Sequence, residues 1–246
     1  MSKLSNKVAL VTGGSRGIGA AIVKRLAADG ASVAFTYAKD TAAASAVVKA
    51  IEAAGGKALA IQADAANVEA AKGTVAKAVA AFGRLDILVN NAGTVFPKPF
   101  VEATQEEMDR VVDINIRGVF ATTQAALKHI GTGGRIINIG SAVGERAAAP
   151  GMVPYAATKG AVKMFTQALS REVGGLGITV NNVQPGPIDT DLNPASGDWS
   201  VPQKAATALN RYGHVDEIAS MVSFLAGPES SYVTGTNLSV DGGMNA

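Results

Sequence analysis

The chain has 246 residues, of which 48% are hydrophobic and 17% are charged, so it has ample material for a folded core and shows no composition typical of disorder. Its formal net charge of +2, without a cluster of Lys or Arg, argues against binding to nucleic acid or to a membrane surface. It has no cysteine and only two histidines, which excludes disulfides and thiol catalysis and makes a metal site unexpected. The N-terminus lacks the apolar core of a secretion signal, and no apolar run reaches the roughly 18 residues of a membrane span, so a cytoplasmic protein is expected.

Strand and helix patterns alternate along the chain. Strands are predicted at 8–11, 32–37, 57–62, 86–90, 135–139, 178–183 and 236–240. Helices are predicted after Gly19, at 41–54, 67–82, 155–173 and 215–225, and from a capping box of Thr104 and Glu107 to His129 with a kink near Gly118. Because the strands are apolar throughout, we expect one doubly wound α/β domain of the Rossmann type over residues 1–246, with a seven-stranded parallel sheet and helices on both faces.

The longest irregular stretch lies between the sixth strand and the last helix. It holds several prolines and the only tryptophan, Trp199. Loops of this length in compact domains are often lids, so we predict a substrate lid at about 187–211.

A glycine-rich turn follows the first strand. Gly13, Gly17 and Gly19 have the spacing Thr-Gly-x-x-x-Gly-x-Gly, which differs from the common dinucleotide fingerprint G-x-G-x-x-G. Glycines let the backbone approach a ligand, and the N-terminus of the following helix favours an anion, so the turn predicts a phosphate site. A plain change of chain direction is the alternative interpretation.

The same turn also fits G-x-S-x-G, the nucleophile elbow of serine hydrolases, with Ser15 as nucleophile. That hypothesis needs a histidine base, for which only His129 and His214 are available, and the chain lacks an H-G-G-G stretch for an oxyanion hole.

Tyr155 and Lys159 lie four residues apart at the start of a predicted helix and therefore project from one face. An ammonium group near a phenol favours the phenolate, so Lys159 is expected to lower the pKa of Tyr155 toward neutrality. Ser141 directly follows a strand, where its hydroxyl could donate a hydrogen bond to a substrate carbonyl oxygen. The alternatives are a chance helical pair for the first two residues and a turn or cap for Ser141.

Together these motifs resemble the short-chain dehydrogenase/reductase family over essentially the whole chain. The resemblance rests on the order and spacing of the glycine turn, Asn90-Asn-Ala-Gly93, Asn115, Ser141, Tyr155-x-x-x-Lys159, Pro185-Gly186, Val233-Thr-Gly235 and Val240-Asp-Gly-Gly243. It implies that Tyr155 is the general acid or base, that Ser141 orients the carbonyl, that Lys159 lowers the pKa of Tyr155 and binds the nicotinamide ribose, and that Asn115 holds a relay water.

The resemblance also implies a cofactor site at the carboxyl ends of the strands, shared with Tyr155 and Lys159. Its other residues are Gly13, Ser15, Arg16, Gly17, Ile18, Gly19, Tyr37, Lys39, Asp64, Ala65, Asn91, Gly93, Pro185, Ile188 and Thr190.

The end of the second strand bears on the choice of nicotinamide cofactor. NAD binders usually place an acid there to hold the ribose 2′-hydroxyl, whereas NADP binders offer a cation. From the start of the second strand, this chain has no acid until Asp40, while Arg16 and Lys39 could meet a 2′-phosphate, so NADPH is expected rather than NADH. In the alternative interpretation both cations are ordinary solvated charges and Asp40 reaches the ribose.

Three functions are considered besides hydrolysis. The first, and the one we predict, is an NADPH-dependent carbonyl reductase acting on a small-molecule ketone or alcohol. The second is a beta-ketoacyl-[acyl-carrier-protein] reductase, although the stretch 193–211 has no basic cluster for an acidic carrier protein. The third is a non-catalytic dinucleotide sensor, which would be expected to have lost the Tyr-Lys-Ser set. The resemblance further implies a homotetramer.

Overall fold

The computed structural model describes residues 2–147 and 149–246. Within these ranges the strands are β1 (Val8–Val11), β2 (Ser32–Tyr37), β3 (Lys57–Gln62), β4 (Ile87–Asn90), β5 (Arg135–Ile139), β6 (Thr179–Pro185) and β7 (Asn237–Val240). The helices there are α1 (Gly17–Ala28), α2 (Thr41–Ala53), α3 (Val68–Phe82), α4 (Gln105–Val112), α5 (Gly118–Ala126), α6 (Val153–Val173), α7 (Ser200–Ala205) and α8 (Val215–Ala226). In the part of the chain so described, no helix is long and apolar enough to cross a membrane.

The strands form one parallel sheet in the order β3-β2-β1-β4-β5-β6-β7. From β1 the chain builds outward to β3, then crosses back to β4 and builds toward β7 in the other direction. The order reverses between β1 and β4, and ligands of doubly wound proteins bind beyond the carboxyl ends of the strands at this position. The predicted fold class is confirmed.

Two hydrophobic cores cover the two faces of the sheet, because successive side chains of a strand point to opposite faces. In β1, Ala9 and Val11 pack with α1, α2 and α8, whereas Val8 and Leu10 pack with α3, α5 and α6. The central strands β1, β4, β5 and β6 are buried over their whole length. Apart from Arg135 at the start of β5, their residues are accordingly uncharged, and most are apolar.

The helical region after β4 differs from the sequence prediction. The capping box of Thr104 and Glu107 is confirmed, but a π-helical turn at Asp113–Arg117 takes the place of the kink expected near Gly118. This wider turn carries Asn115, which is buried. The helix ends at Ala126, short of the predicted end, and the N–H groups of Lys128 and His129 donate three residues back, in turns of the tighter 3₁₀ type.

The stretch predicted to be irregular contains the short helix α7. Six residues are too few to show a helical repeat in the sequence, so the pattern did not reveal it. Proline stands at its third position, in the first turn, where no intrahelical N–H donor is lost.

Candidate functional site

The turn between β1 and α1 depends on its glycines, as two of them show. Gly13 has φ +68°, a left-handed conformation that side chains disfavour. At Gly19 a Cβ atom would lie 2.0 Å from the carbonyl oxygen of Gly13 and 2.5 Å from Nδ2 of Asn91. The sequence therefore brings the first turn of α1 directly onto the loop before it, with the backbone N–H groups of the helix N-terminus at the edge of the sheet.

The loops after β1 and β4 are joined by hydrogen bonds. Nδ2 of Asn91 donates to the carbonyl oxygens of Thr12 and Gly13, both at 2.9 Å. In return, the Thr12 hydroxyl accepts from the backbone N–H groups of Asn91 and Ala92, both at 3.0 Å. Asn91, predicted to line the cofactor site, therefore fixes the shape of the glycine turn.

Asn115 connects the loop after β4 to the start of α6. Its Oδ1 accepts from the backbone N–H of Thr94 at 2.9 Å, and its Nδ2 donates to the Thr94 carbonyl and the Thr158 hydroxyl, both at 3.0 Å. The Thr158 hydroxyl donates in turn to the backbone carbonyl of Tyr155 at 2.8 Å. Since the Asn115 side chain is committed to protein groups, its role with a relay water stays a prediction.

Ser141, Tyr155 and Lys159 lie together beside these loops. α6 begins at Val153, with Pro154 in its first turn, so Tyr155 and Lys159 occupy its first two turns. Lys159 is buried and donates from Nζ to the Ile139 carbonyl at the end of β5, at 2.7 Å. Its Nζ is 5.6 Å from the centroid of the Tyr155 ring.

Burial governs the titration of this cluster. It raises the pKa of Tyr155 above the usual value for a phenol, while the neighbouring Ser141 hydroxyl acts in the opposite direction. Burial also lowers the pKa of Lys159 to about 8. The sequence predicted a lowered pKa for Tyr155. The structure has the opposite direction, because desolvation outweighs the ammonium group, which is bound to the Ile139 carbonyl.

The cations expected at a 2′-phosphate are both exposed. Arg16 is the N-cap residue of α1, with Nη1 3.9 Å from Oδ2 of Asp191 in the predicted lid. Lys39 follows β2 and is exposed. Asp40 caps α2, where its Oδ1 accepts from the backbone N–H of Ala43 at 2.9 Å. Its carboxylate is therefore engaged in the helix cap, which weakens the interpretation that Asp40 holds a ribose.

Asp64 and Ala65 follow β3 on the other side of the site. Nη1 and Nη2 of Arg110, on α4, hold the Asp64 carboxylate at 2.9 and 3.1 Å. Burial alone would raise the pKa of Asp64, but the Arg110 and backbone hydrogen bonds keep it below its usual value. The Ala65 carbonyl would lie 2.4 Å from a Cβ at Gly118, so the π turn and α5 press closely on this loop.

The remaining predicted residues lie along the same edge. Pro185 ends β6, Ile188 is buried and pairs with Gly213, and the Thr190 methyl would lie 3.5 Å from a Cβ at Gly17.

Gly93 is near Lys159, since a Cβ there would be 3.7 Å from Nζ. Ser15 and Ile18, within the turn, and Tyr37, at the end of β2, are partly buried. The fold thus collects the sequence-predicted residues around one edge, while their individual roles remain predictions.

Sequence reasoning missed Thr158, Thr36 and Arg110. The Thr36 side chain and carbonyl accept from the N–H groups of Gly13 and Gly14, at 2.9 and 2.8 Å. Thr158, directly before Lys159, carried a local signal, namely a hydroxyl inside the Tyr-x-x-x-Lys spacing. The partners of Thr36 and Arg110 lie 23 and 46 residues away in the sequence, and no local pattern identifies them.

A parallel sheet with a glycine turn and a Tyr-Lys-Ser cluster at the carboxyl edge of its switch point defines the class of dinucleotide-dependent α/β oxidoreductases. A family model described as enoyl-(acyl carrier protein) reductase matches residues 13–245. The chain is 46% identical to an uncharacterized oxidoreductase of Methylorubrum extorquens, over 99% of this chain and 100% of that protein. It is 41% identical to a 3-oxoacyl-[acyl-carrier-protein] reductase of Synechocystis, over 99% of each chain.

Among solved structures, a short chain dehydrogenase from Burkholderia cenocepacia, crystallised in complex with NADP, superposes with a TM-score of 0.98. It is 50% identical, over 99% of this chain and 100% of that one. The protein belongs to the short-chain dehydrogenase/reductase family and is an oxidoreductase. The resemblance predicted from the motifs is confirmed, and family membership removes the support for a serine hydrolase.

Proposed function

We propose that the protein is an NADPH-dependent carbonyl reductase that converts a ketone into a secondary alcohol, with Tyr155 as general acid and, in the reverse direction, general base. The observation that carries the proposal is the cluster of Ser141, Tyr155 and Lys159 on the sheet edge that also holds the glycine turn. Those three groups combine a hydrogen-bond donor, a proton donor and a cation within one small volume.

The residues at the turn fit a dinucleotide. Side chains at Gly13 or Gly19 would fill the space against the backbone, and the N-terminus of α1 favours a pyrophosphate there. Arg16 and Lys39 are exposed and would bind the 2′-phosphate, while Lys159 would bind the nicotinamide ribose. The relative from Burkholderia that carries NADP supports the same choice. When bound, the cofactor supplies the hydride to the carbonyl carbon.

The side chains of this protein handle the proton and the developing charge. Oγ of Ser141 accepts from the backbone N–H of Val143 at 3.2 Å, so its own proton can be donated to the neighbouring Tyr155 oxygen or, when substrate binds, to the substrate carbonyl oxygen. Tyr155 transfers its phenolic proton to that oxygen as negative charge develops there. Lys159, as an ammonium, stabilises the phenolate left behind. Because the pKa of Tyr155 is raised, the phenol is protonated at neutral pH and ready to act as an acid.

The two cations proposed to bind the 2′-phosphate are expected to determine the preference for NADPH over NADH. Replacing Arg16 and Lys39 together with Ala is expected to weaken NADPH binding by about 10- to 100-fold, the usual value of one or two charge-assisted hydrogen bonds. NADH lacks the phosphate, so its dissociation constant should change by less than about twofold. Fluorescence titration of both cofactors measures the two constants.

Lys49, an exposed cation on α2, provides the matched control for a general loss of positive charge. Lys49→Ala should bind both cofactors like the original protein. Tighter binding of NADH than of NADPH by the unmutated protein would contradict the choice of cofactor.

The nature of the ketone distinguishes the two reductase hypotheses. The Synechocystis relative is named for an acyl-carrier-protein substrate. In the lid region of this chain, however, Arg211 is paired with both carboxylate oxygens of Glu217, and Lys204 donates to the Ala195 carbonyl and lies over the Tyr212 ring. Glu217 neutralises Arg211, so Lys204 alone leaves this stretch with little positive charge for an acidic carrier, which favours a small neutral ketone.

The loss of NADPH absorbance with a panel of ketones tests the proposal. The panel contains an acetoacetyl thioester, a cyclic ketone, an aryl ketone and a diketone, and each is repeated with NADH. We expect turnover of simple ketones with NADPH. Turnover confined to the thioester would favour fatty-acid chemistry. NADPH binding without turnover of any of these ketones would favour the non-catalytic sensor. The intact Tyr-Lys-Ser set supports the enzyme instead. A homotetramer remains part of the proposal, and sedimentation measures it.

A further inference from the structure

A second charged cluster lies behind the loop that carries Ser141, outside the groups assigned above. After Ser141 the chain makes one 3₁₀ turn, Ala142–Gly144, and reaches Glu145. One Glu145 oxygen accepts from Nζ of Lys163 and the other from Nε2 of Gln184 at 3.1 Å. Lys163 stands one helical turn beyond Lys159 on α6, and Gln184 lies in β6 directly before Pro185.

The cluster joins a partly exposed ion pair to a buried amide. The side chains of Glu145 and Lys163 are each 29% exposed, and Gln184 is 1% exposed. Glu145 holds one partner on α6 and one on the sheet, so its carboxylate spans the two elements on either side of the Ser141 loop. Exposed pairs contribute little, but a pair with a buried third partner fixes geometry as well as charge.

The backbone next to Glu145 is also tightly packed. A Cβ at Gly144 would lie 2.9 Å from the carbonyl carbon of Lys159, so the loop rests on the α6 backbone. From the other side, Nδ2 of Asn245 donates to the Ala142 carbonyl at 2.9 Å. Only three residues separate Ser141 from Glu145, and they form a hydrogen-bonded turn, so a movement of Glu145 shifts the serine hydroxyl.

We infer that Glu145 is a positioning residue, which clamps the Ser141 loop between α6 and β6 and so holds the Ser141 hydroxyl where it meets the substrate carbonyl. This inference rests on the proposed function for its catalytic consequence, but the clamp itself is a property of the fold. Lys163 and Gln184 serve as its anchors.

The first test of the clamp does not depend on turnover. Backbone N–H groups of Val143, Gly144 and Glu145 are all hydrogen bonded within the loop, to the hydroxyl or carbonyl of Ser141 and to the Ala142 carbonyl. Glu145→Ala should therefore increase amide hydrogen exchange in this loop by about tenfold or more, because the loop opens locally. Glu69→Ala removes the carboxylate of an exposed pair on α3 and should leave the loop unchanged. Unchanged exchange in Glu145→Ala would overturn the inference.

A charge swap tests whether the bridge between residues 145 and 163 holds the loop, rather than the mere presence of a long side chain at position 145. In the double variant Glu145→Lys with Lys163→Glu, the new lysine can donate to the new glutamate and to Oε1 of Gln184, which has no hydrogen-bond partner among the described residues. The clamp is then rebuilt with the charges reversed, and exchange in the loop should return to within about twofold of the original. Exchange as fast as in Glu145→Ala would contradict the role of the bridge.

The kinetic test asks whether Glu145 acts through Ser141. With saturating NADPH, Glu145→Ala should lower kcat for ketone reduction by about tenfold, as expected for a misplaced donor, with the NADPH dissociation constant unchanged. In a Ser141→Ala background the same substitution should cost almost nothing, because the positioned group is gone. An equal loss in both backgrounds would mean that Glu145 affects the fold generally, and would overturn the inference. Absence of turnover in the unmutated protein would remove the proposed function, while the exchange experiment would still decide the clamp.

Discussion

Replacing Tyr155 with Phe is expected to lower kcat for ketone reduction by about 10²- to 10⁴-fold, the range over which a positioned proton donor accelerates a reaction. The substitution keeps the ring and the backbone carbonyl that accepts from Thr158, and deletes only the hydroxyl beside Ser141. Cofactor affinity should therefore stay within about threefold. Steady-state kinetics and an NADPH titration of the same preparation measure both quantities.

Tyr232 supplies the matched control for this substitution. It is fully exposed, so Tyr232→Phe removes a hydroxyl that has no part in the site and should leave kcat unchanged. Turnover by Tyr155→Phe at the original rate would mean that another group delivers the proton. A sensor would behave differently, because neither the original protein nor the variant would turn over a ketone while both bound NADPH.

The fold and much of the candidate site are readable in the sequence because their signals are local. Strand ends, the glycine turn and the Tyr-Lys spacing each occupy a few consecutive residues, and parallel topology then brings the strand ends to one edge. The position of Ser141 follows in this way from β5 alone.

Features that depend on packing between distant segments could not be predicted from the sequence. Arg110 reaches Asp64 across 46 residues, and Glu145 reaches Gln184 across 39, so neither pair has a sequence signal. The direction of the pKa shift of Tyr155 could not be predicted from the sequence for the same reason. Spacing identifies the neighbouring ammonium, whereas desolvation, which decides the direction of the shift, is known only once the surrounding chain is placed.

Lys159→Met is expected to reduce kcat by about 10²- to 10³-fold, comparable to the removal of one group that stabilises transition-state charge. Met retains an unbranched chain that fills the same buried space, although the Ile139 carbonyl loses its donor. Burying the Lys159 ammonium costs desolvation energy, as its lowered pKa shows, and the substitution removes this cost. The gain offsets the lost hydrogen bond to the Ile139 carbonyl, so the melting temperature should change little. Lys128→Met, at an exposed lysine beyond α5, is the control.

The pH profile links this loss to the charge of Lys159. Its pKa of about 8 means that the ammonium form predominates below pH 8 and is lost as the pH rises through that value. The pKa of Tyr155 is raised, so the phenol keeps its proton across the same interval and cannot cause a change there. We therefore expect kcat/KM for ketone reduction by the original protein to fall above about pH 8, since a neutral amine no longer stabilises the developing phenolate. In Lys159→Met this alkaline decline should disappear, leaving a low and flat profile over the interval. A decline at the same pH in the variant would assign it to another titrating group and remove Lys159 from the proposed mechanism.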